Sequence, residues 1–218
     1  MPTRFLHTCC RLNHPAYDAD DADNDSPTMA EQLTKENRLL HMRHAIIPFH
    51  VRGVMAGLSA LDLAAKHDLF TPVEIHIEGP NPEVQSETLL SYAQPIWCMG
   101  AIHSRFLLEF VGLKSKGSPS RLETITDKER RPSDIGIECY QRADDTFLRR
   151  LEPSIVDYSP DPEVVRRAWI GTCDFAGQRL AHATDDYKLQ SGDVTAMLRR
   201  TFETIPDLIS HCFHSQLN

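Results

Sequence analysis

A chain of 218 residues is long enough for one sizeable core with appendages. Its 23 basic against 31 acidic residues give a net charge of −8, which argues against a dedicated nucleic-acid or membrane-surface protein while leaving room for a local basic patch. Ile46 to Leu63 comes closest to the roughly 18 apolar residues a membrane span needs, but His50, Arg52 and Asp62 interrupt it, so no span is expected.

Residues 1–27 carry Asp18-Ala-Asp-Asp-Ala-Asp-Asn-Asp25 and almost no periodicity, the composition of a disordered acidic leader. Met1 to Arg11 has no apolar run of signal-peptide length, and Met29, where helical periodicity begins, is an alternative start. The Asp21, Asp23, Asp25 spacing invites comparison with a calcium loop. It fails, because Ser26 stands where glycine is needed and Gln32 where the bidentate glutamate is needed. The six cysteines are scattered without a CxxC pair. Cys98, Cys173 and Cys212 lie among apolar neighbours, as reduced core thiols of a cytoplasmic protein would.

A first long helix is expected from about Thr28 to Lys66. Leu33, Leu40, Ile47, Val51, Val54, Leu58, Leu61 and Ala65 form its apolar stripe, and Pro48 is a kink. Val73-Glu-Ile-His-Ile77 alternates, as a short strand or extended connector does. Asn81-Pro82-Glu83 reads as a helix start, opening a second long helix to about Leu113 with Pro95 as a kink. Residues 114–135 read as loop, and a shorter helix is expected near 141–151. Asp161-Pro162-Glu163 repeats the start signal for a third helix to about Thr184, along Val165, Trp169, Thr172, Ala176 and Leu180. A fourth helix is expected over 194–215 with a kink at Pro206. The sum is an all-α, up-down four-helix bundle over 28–218, with kinked long helices and an insertion at about 114–160.

Two short runs carry the candidate chemistry. Arg105 and Glu109 are four apart on the second helix. Arg179 and His182 are three apart on the third, with Asp185 and Asp186 following. A histidine beside carboxylates is suited to acid–base work near neutral pH. The same four residues equally suit an internal ion-pair clamp, because structural pairs imitate sites. Other chemistry is not indicated. No Glu-x-x-His occurs for a di-iron bundle, His41-x-x-His44 and His211-x-x-His214 are spacings that chance supplies, and P-loop and nucleophile-elbow patterns are absent, so neither metal nor cofactor is expected.

The run Arg105-Phe-Leu-Leu-Glu109-Phe, followed by Gly177-Gln-Arg179-Leu-Ala-His182-Ala-Thr184, resembles a set of uncharacterised bacterial helical proteins. Those carry an Arg-x-Leu-Ile/Leu-Glu/Asp-Phe helix and a later Asn/Asp-Lys-x-Leu-Ala-His-Leu-Thr helix, and are similar to HEPN-type bundles, whose better-known members are RNA-cleaving toxins or abortive-infection proteins. The likeness covers roughly residues 30–113 and 160–215, with about fifteen patterned positions. It implies a HEPN-like fold, RNA or another phosphate-bearing ligand as partner, a possible homodimer, and a site of Arg105, Glu109, Arg179 and His182. His182 would be the acid–base group, with the arginines stabilising phosphate charge. The chain departs from the HEPN nuclease signature, an arginine followed by a histidine after four to six residues in a late helix. That spacing occurs only early, as Arg38…His44 and Arg43…His50, as often as chance supplies in a chain with 11 histidines. The alternative is a non-catalytic structural or protein-interaction module with the four residues as its clamp.

Overall fold

A computed structural model describes residues 35–78, 82–180 and 194–217. The acidic leader and its aspartates lie outside them, as do Leu33 and the expected helix start at Thr28. Residues 35–218 form one compact unit, mostly helical with a few short strands.

The first helical segment is continuous from α1 (Lys35–His41) through a π-helical turn (Met42–Ile46) into α2 (Ile47–Lys66). Pro48 stands inside this continuous segment, and the π turn lies directly before it, where the regular hydrogen-bond ladder is already interrupted. Ile47, Val54 and Leu61 are buried as the periodicity requires, whereas Leu40 is 49% exposed. Glu36–Lys66 is long and apolar enough to cross a membrane by length and composition alone, a test that the core helix of a soluble protein also passes. Two of its polar interruptions have partners within the fold: Asp62 accepts a hydrogen bond from Arg199 at 2.5 Å, and His50 pairs with His103.

The chain then forms an antiparallel hairpin, β1 (Pro72–Ile77) with β2 (Glu83–Thr88), in register from Pro72 opposite Thr88 to Ile77 opposite Glu83. The alternation at Val73–Ile77 is thus a strand, and the helix start at Asn81-Pro82-Glu83 is corrected. Residues 83–88 satisfy their backbone groups on β1, and Val84, Ser86 and Thr88 have little helix propensity to oppose that pairing. The helix begins six residues later, as α3 (Leu89–Phe110). The N–H groups of its first three residues are met: Leu89 and Leu90 N–H donate to Thr71 and Leu69 carbonyls at 2.9 and 2.8 Å, and Ser91 N–H to the Thr88 hydroxyl at 3.2 Å.

Helices α2 and α3 pack against each other and against α5 (Val194–Cys212), and α4 (Pro162–Asp174) packs on α5 and α3. α2 and α3 meet at Gly57 and Gly100, under the ring of Phe202, which is fully buried. A Cβ on Gly57 would lie 2.8 Å from that ring and 3.2 Å from the Gly100 backbone. α4 and α5 join through the buried hydroxyls of Thr172 and Thr201, 2.9 Å apart, and through Trp169, whose indole N–H donates to Thr204 at 2.9 Å. Both α3 and α5 run through their prolines, Pro95 and Pro206.

The 114–160 segment is not the loop and short helix expected. A second hairpin, β3 (Leu113–Lys116) and β4 (Arg121–Thr124), follows α3 directly, because Leu113 and Leu122 are apolar and buried and Gly117 supplies the positive-φ turn. Residues 141–147 form a turn closed by an isolated Gln141–Phe147 bridge, between 3-10 turns at Ile137–Cys139 and Pro153–Tyr158, and no helix forms over 141–151. The helix-rich class expected of the chain holds, with two small hairpins added to it. α5 ends at Cys212 and passes into a 3-10 turn at His214–Gln216. Of the cysteines expected in the core, Cys173 is buried and Cys98 and Cys212 are half-buried.

Replacing Gly57 by alanine tests the close α2–α3 approach. Helix propensity alone favours alanine by about 1 kcal/mol, but overpacking against an immobile ring and backbone costs about 1–3 kcal/mol. The expected net is a loss of up to about 2 kcal/mol in urea unfolding. A stabilised Gly57→Ala protein would show that the approach is not limiting.

Candidate functional site

Arg105 and Glu109 lie one helical turn apart on α3, and the Arg105 Nε–H donates to Glu109 Oε1 at 2.7 Å. Both side chains are about two-fifths exposed, at 42% and 41%. They face a π-helical turn, Phe175–Arg179, that prolongs α4. Gly177 in that turn lies under the Arg105 guanidinium, and a Cβ there would be 2.7 Å from Nη1. Arg105, Glu109, Ile102 and Phe106 from α3, with Ala176 and Leu180 opposite, line a cavity of about 260 Å³.

The charges are set by local contacts. Hydrogen bonding to Glu109 pushes the Arg105 pKa up, so it is a permanent cation. Cys173, buried beside the pair, has its thiol pushed up to about 12, first by burial and then by the charge of Glu109. It is therefore a neutral packing group and no nucleophile. Ser115 of β3 donates to Asp174 at 2.7 Å, fixing the end of α4 against the hairpin.

Of the four residues singled out in the sequence, Arg105 and Glu109 are joined, and the backbone of Arg179 belongs to the turn they face. The Arg179 side chain, His182, Asp185 and Asp186 lie outside the described residues. Among the described residues no group of three or more His, Cys, Asp or Glu side chains is placed to hold a metal.

Two polar clusters were not legible in the sequence. On one side of the Arg105 cavity, His50 and His103 join α2 to α3 through a 2.8 Å contact between their Nδ1 atoms. Such a bond needs one donor and one acceptor, so both rings cannot be imidazolium. Phe106, which lines the cavity, stacks on His50 with ring centroids 3.7 Å apart. Gly53 leaves room for His103, whose ring would meet a Cβ there at 2.0 Å. Burial, then the charge of His103, lowers His50 to about 4, and burial lowers His103 too.

At the end of α3, Arg130 donates to the Glu109 and Phe110 carbonyls at 2.7 and 3.4 Å, placing a cation at the negative end of the helix. Glu138 Oε1 accepts from Arg130 at 3.1 Å and from Arg150 at 2.8 Å. Gly112, at φ +94°, is required here: a Cβ would lie 2.5 Å from that of Arg150. No short-range pattern signals either cluster, since His50 and His103 are 53 residues apart and Glu138 and Arg150 are 12 apart.

Comparison with known proteins finds no matching family model, no matching curated protein and no matching solved structure.

The histidine pair makes stability depend on pH in a defined window. Folding favours the neutral rings, whereas unfolded histidine titrates near 6.5. Between about pH 4 and 6.5 the unfolded chain binds more protons, so stability is full above that window and is lost on acidification through it. The melting temperature should fall from pH 7 to pH 5 and the slope should flatten in His50→Phe, which keeps the stack on Phe106 but cannot titrate. An identical slope in the variant would assign the dependence to other groups.

Proposed function

We propose that this chain is a cytoplasmic, HEPN-like up-down bundle of α2, α3, α4 and α5 that binds a phosphate-bearing ligand, RNA being the first candidate, at Arg105 and Glu109. The observation that carries the reading is the state of Arg105. Its guanidinium is 42% exposed at the mouth of a cavity and, among the described residues, gives only its Nε–H, to Glu109. The outer N–H groups remain able to donate to phosphate oxygens, for which the planar guanidinium fork is well shaped. Glu109 then holds the side chain in one rotamer, and Gly177 lets the turn approach it. In this reading Arg179 adds a second cation and His182 is the acid–base group if the ligand is cleaved, roles that follow from the resemblance of the two motif runs.

The rival reading, a non-catalytic module clamped by Arg105 and Glu109, is less well supported. A clamp need not be reachable, and the buried work of holding α3 to its neighbours falls to Arg130, Glu138 and Arg150, whose side chains are only 14–23% exposed. Pairing into a homodimer is part of the proposal. It is supported by apolar side chains that α2 and α3 leave exposed, among them Phe49 at 53%, Met99 at 47% and Ile102 at 38%.

Calorimetric titration with a short single-stranded RNA tests the reading. Loss of charge-assisted hydrogen bonds worth about 1.5–3 kcal/mol should weaken binding at least ten-fold in Arg105→Ala. Gly177→Ala should do the same, because the new Cβ displaces the guanidinium. Binding that is absent in the parent protein, or equal in all three, would refute the site. Cleavage of the bound RNA that disappears in His182→Ala would extend the reading from binding to catalysis.

A further inference from the structure

Helices α2 and α3 leave one apolar face without a partner among the described residues. On α3 it is the seam Tyr92, Pro95, Met99, Ile102 and Phe106, three and four residues apart and exposed at all but Phe106. On α2 it is Phe49, Ala56 and Leu63, two turns apart and exposed. The two stripes are neighbours: the rings of Phe49 and His103 lie 5.2 Å apart, α2 and α3 touch at Gly57 and Gly100, and Leu63 and Tyr92 line one cavity. The most apolar window of Glu36–Lys66 is only 28% buried. We propose that this face binds the same face of a second copy, with α2 of each over α3 of the other, and that the contact brings the partner's Arg52 to Glu109 at the mouth of the Arg105 cavity. The proposal deepens the homodimer inferred above and rests on that pairing, not on the ligand of Arg105.

Size, shape and charge select a second copy. Each stripe runs about 21 Å along a helix about 10 Å wide, so two such faces together bury on the order of 1,000 Å², the size at which a contact becomes a specific interface. The middle of α2 is low, with Gly53, Ala56 and Ser59, whereas α3 raises Met99, Ile102 and Phe106. Space on one helix and bulk on the other fit when α3 of one copy covers α2 of its partner, which a two-fold axis along the helices does twice. That axis keeps each residue at its own height. Since Gly57 meets Gly100, Met99 then lies over the Ala56–Ser59 stretch of the partner. Gly53 faces His103, so Arg52 points about 100° round the helix from α3, along the outer flank of the stripe. Across the two-fold that flank lies beside Glu109, since Ile102 and Phe106 belong both to the seam and to the Arg105 cavity. Arg52 is exposed, and its side chain has no ion-pair or hydrogen-bond partner among the described residues. Glu109 accepts from Arg105 at Oε1, which leaves Oε2 for a second cation. Lys66 is the other charged residue on the flank, and neither stripe contains an acid, so two copies meet there without carboxylate repulsion despite a net charge of −8.

Light scattering on the full-length protein, without RNA, tests the pairing. The parent should show twice the chain mass of 24.7 kDa. Met99→Glu and Ala56→Glu, both at exposed positions, should each be monomeric with unchanged helical dichroism. Arg52→Glu should weaken the dimer by about ten-fold or more. Combining it with Glu109→Lys should restore most of that loss, which a misfolded variant would not do. A monomeric parent would overturn the proposal without touching RNA binding, which the Arg105→Ala titration judges separately. If that monomer also floats with phosphatidylglycerol vesicles, the face belongs to lipid. Dimers in both glutamate variants, or no restoration in the double variant, would overturn it as well.

Discussion

The carboxylate of Glu138, held between the guanidinium groups of Arg130 and Arg150, is the contact on which the arrangement of the other parts depends. Arg130 reaches from it to the last carbonyls of α3, and Arg150 to the Ile125 carbonyl and Asp127. One ionic knot therefore ties the end of the central helix to both halves of the 113–158 segment. Breaking such a knot costs far more than making it gains, because a lone charge would be left in a poorly solvated place. Gly112 and Gly136 exist in that context as space: a Cβ at either would strike Arg150 or the Glu138–Arg130 pair.

That division of labour gives the Arg105–Glu109 pair its meaning. One turn before the knot on the same helix, it is half-exposed and holds nothing that the knot does not already hold. An exposed pair at four-residue spacing contributes only about 0.3–0.5 kcal/mol. In the proposed reading this guanidinium, fixed at the mouth of a cavity and giving only its Nε–H to a partner among the described residues, serves a ligand more than stability. Phe106 links this cavity to the His50–His103 pair by stacking, so the site and the one titrating contact between α2 and α3 share a wall.

The helices were legible where packing follows period. Val165, Trp169, Thr172 and Ala176 are buried in sequence register, and Asp161-Pro162-Glu163 does precede a helix. The same signal at Asn81-Pro82-Glu83 does not, because β1 offers residues 83–88 a partner that a local reading cannot see. Arg105–Glu109 was legible for the same reason as the helices, being a contact four residues apart. Its position over Gly177 was not, since it depends on how α4 meets α3, and Glu138 with its two arginines depends on the folding-back of a segment whose polar, proline-containing composition reads as loop. The sequence thus revealed local pairs and concealed the long-range ones that decide which pair bears structural load.

Urea unfolding of Arg105→Ala beside Glu138→Gln tests this division most directly. The account predicts a loss below about 1 kcal/mol for Arg105→Ala and of about 3 kcal/mol or more for Glu138→Gln. A loss of about 3 kcal/mol in Arg105→Ala would contradict it, and would make Arg105 a clamp in place of a site.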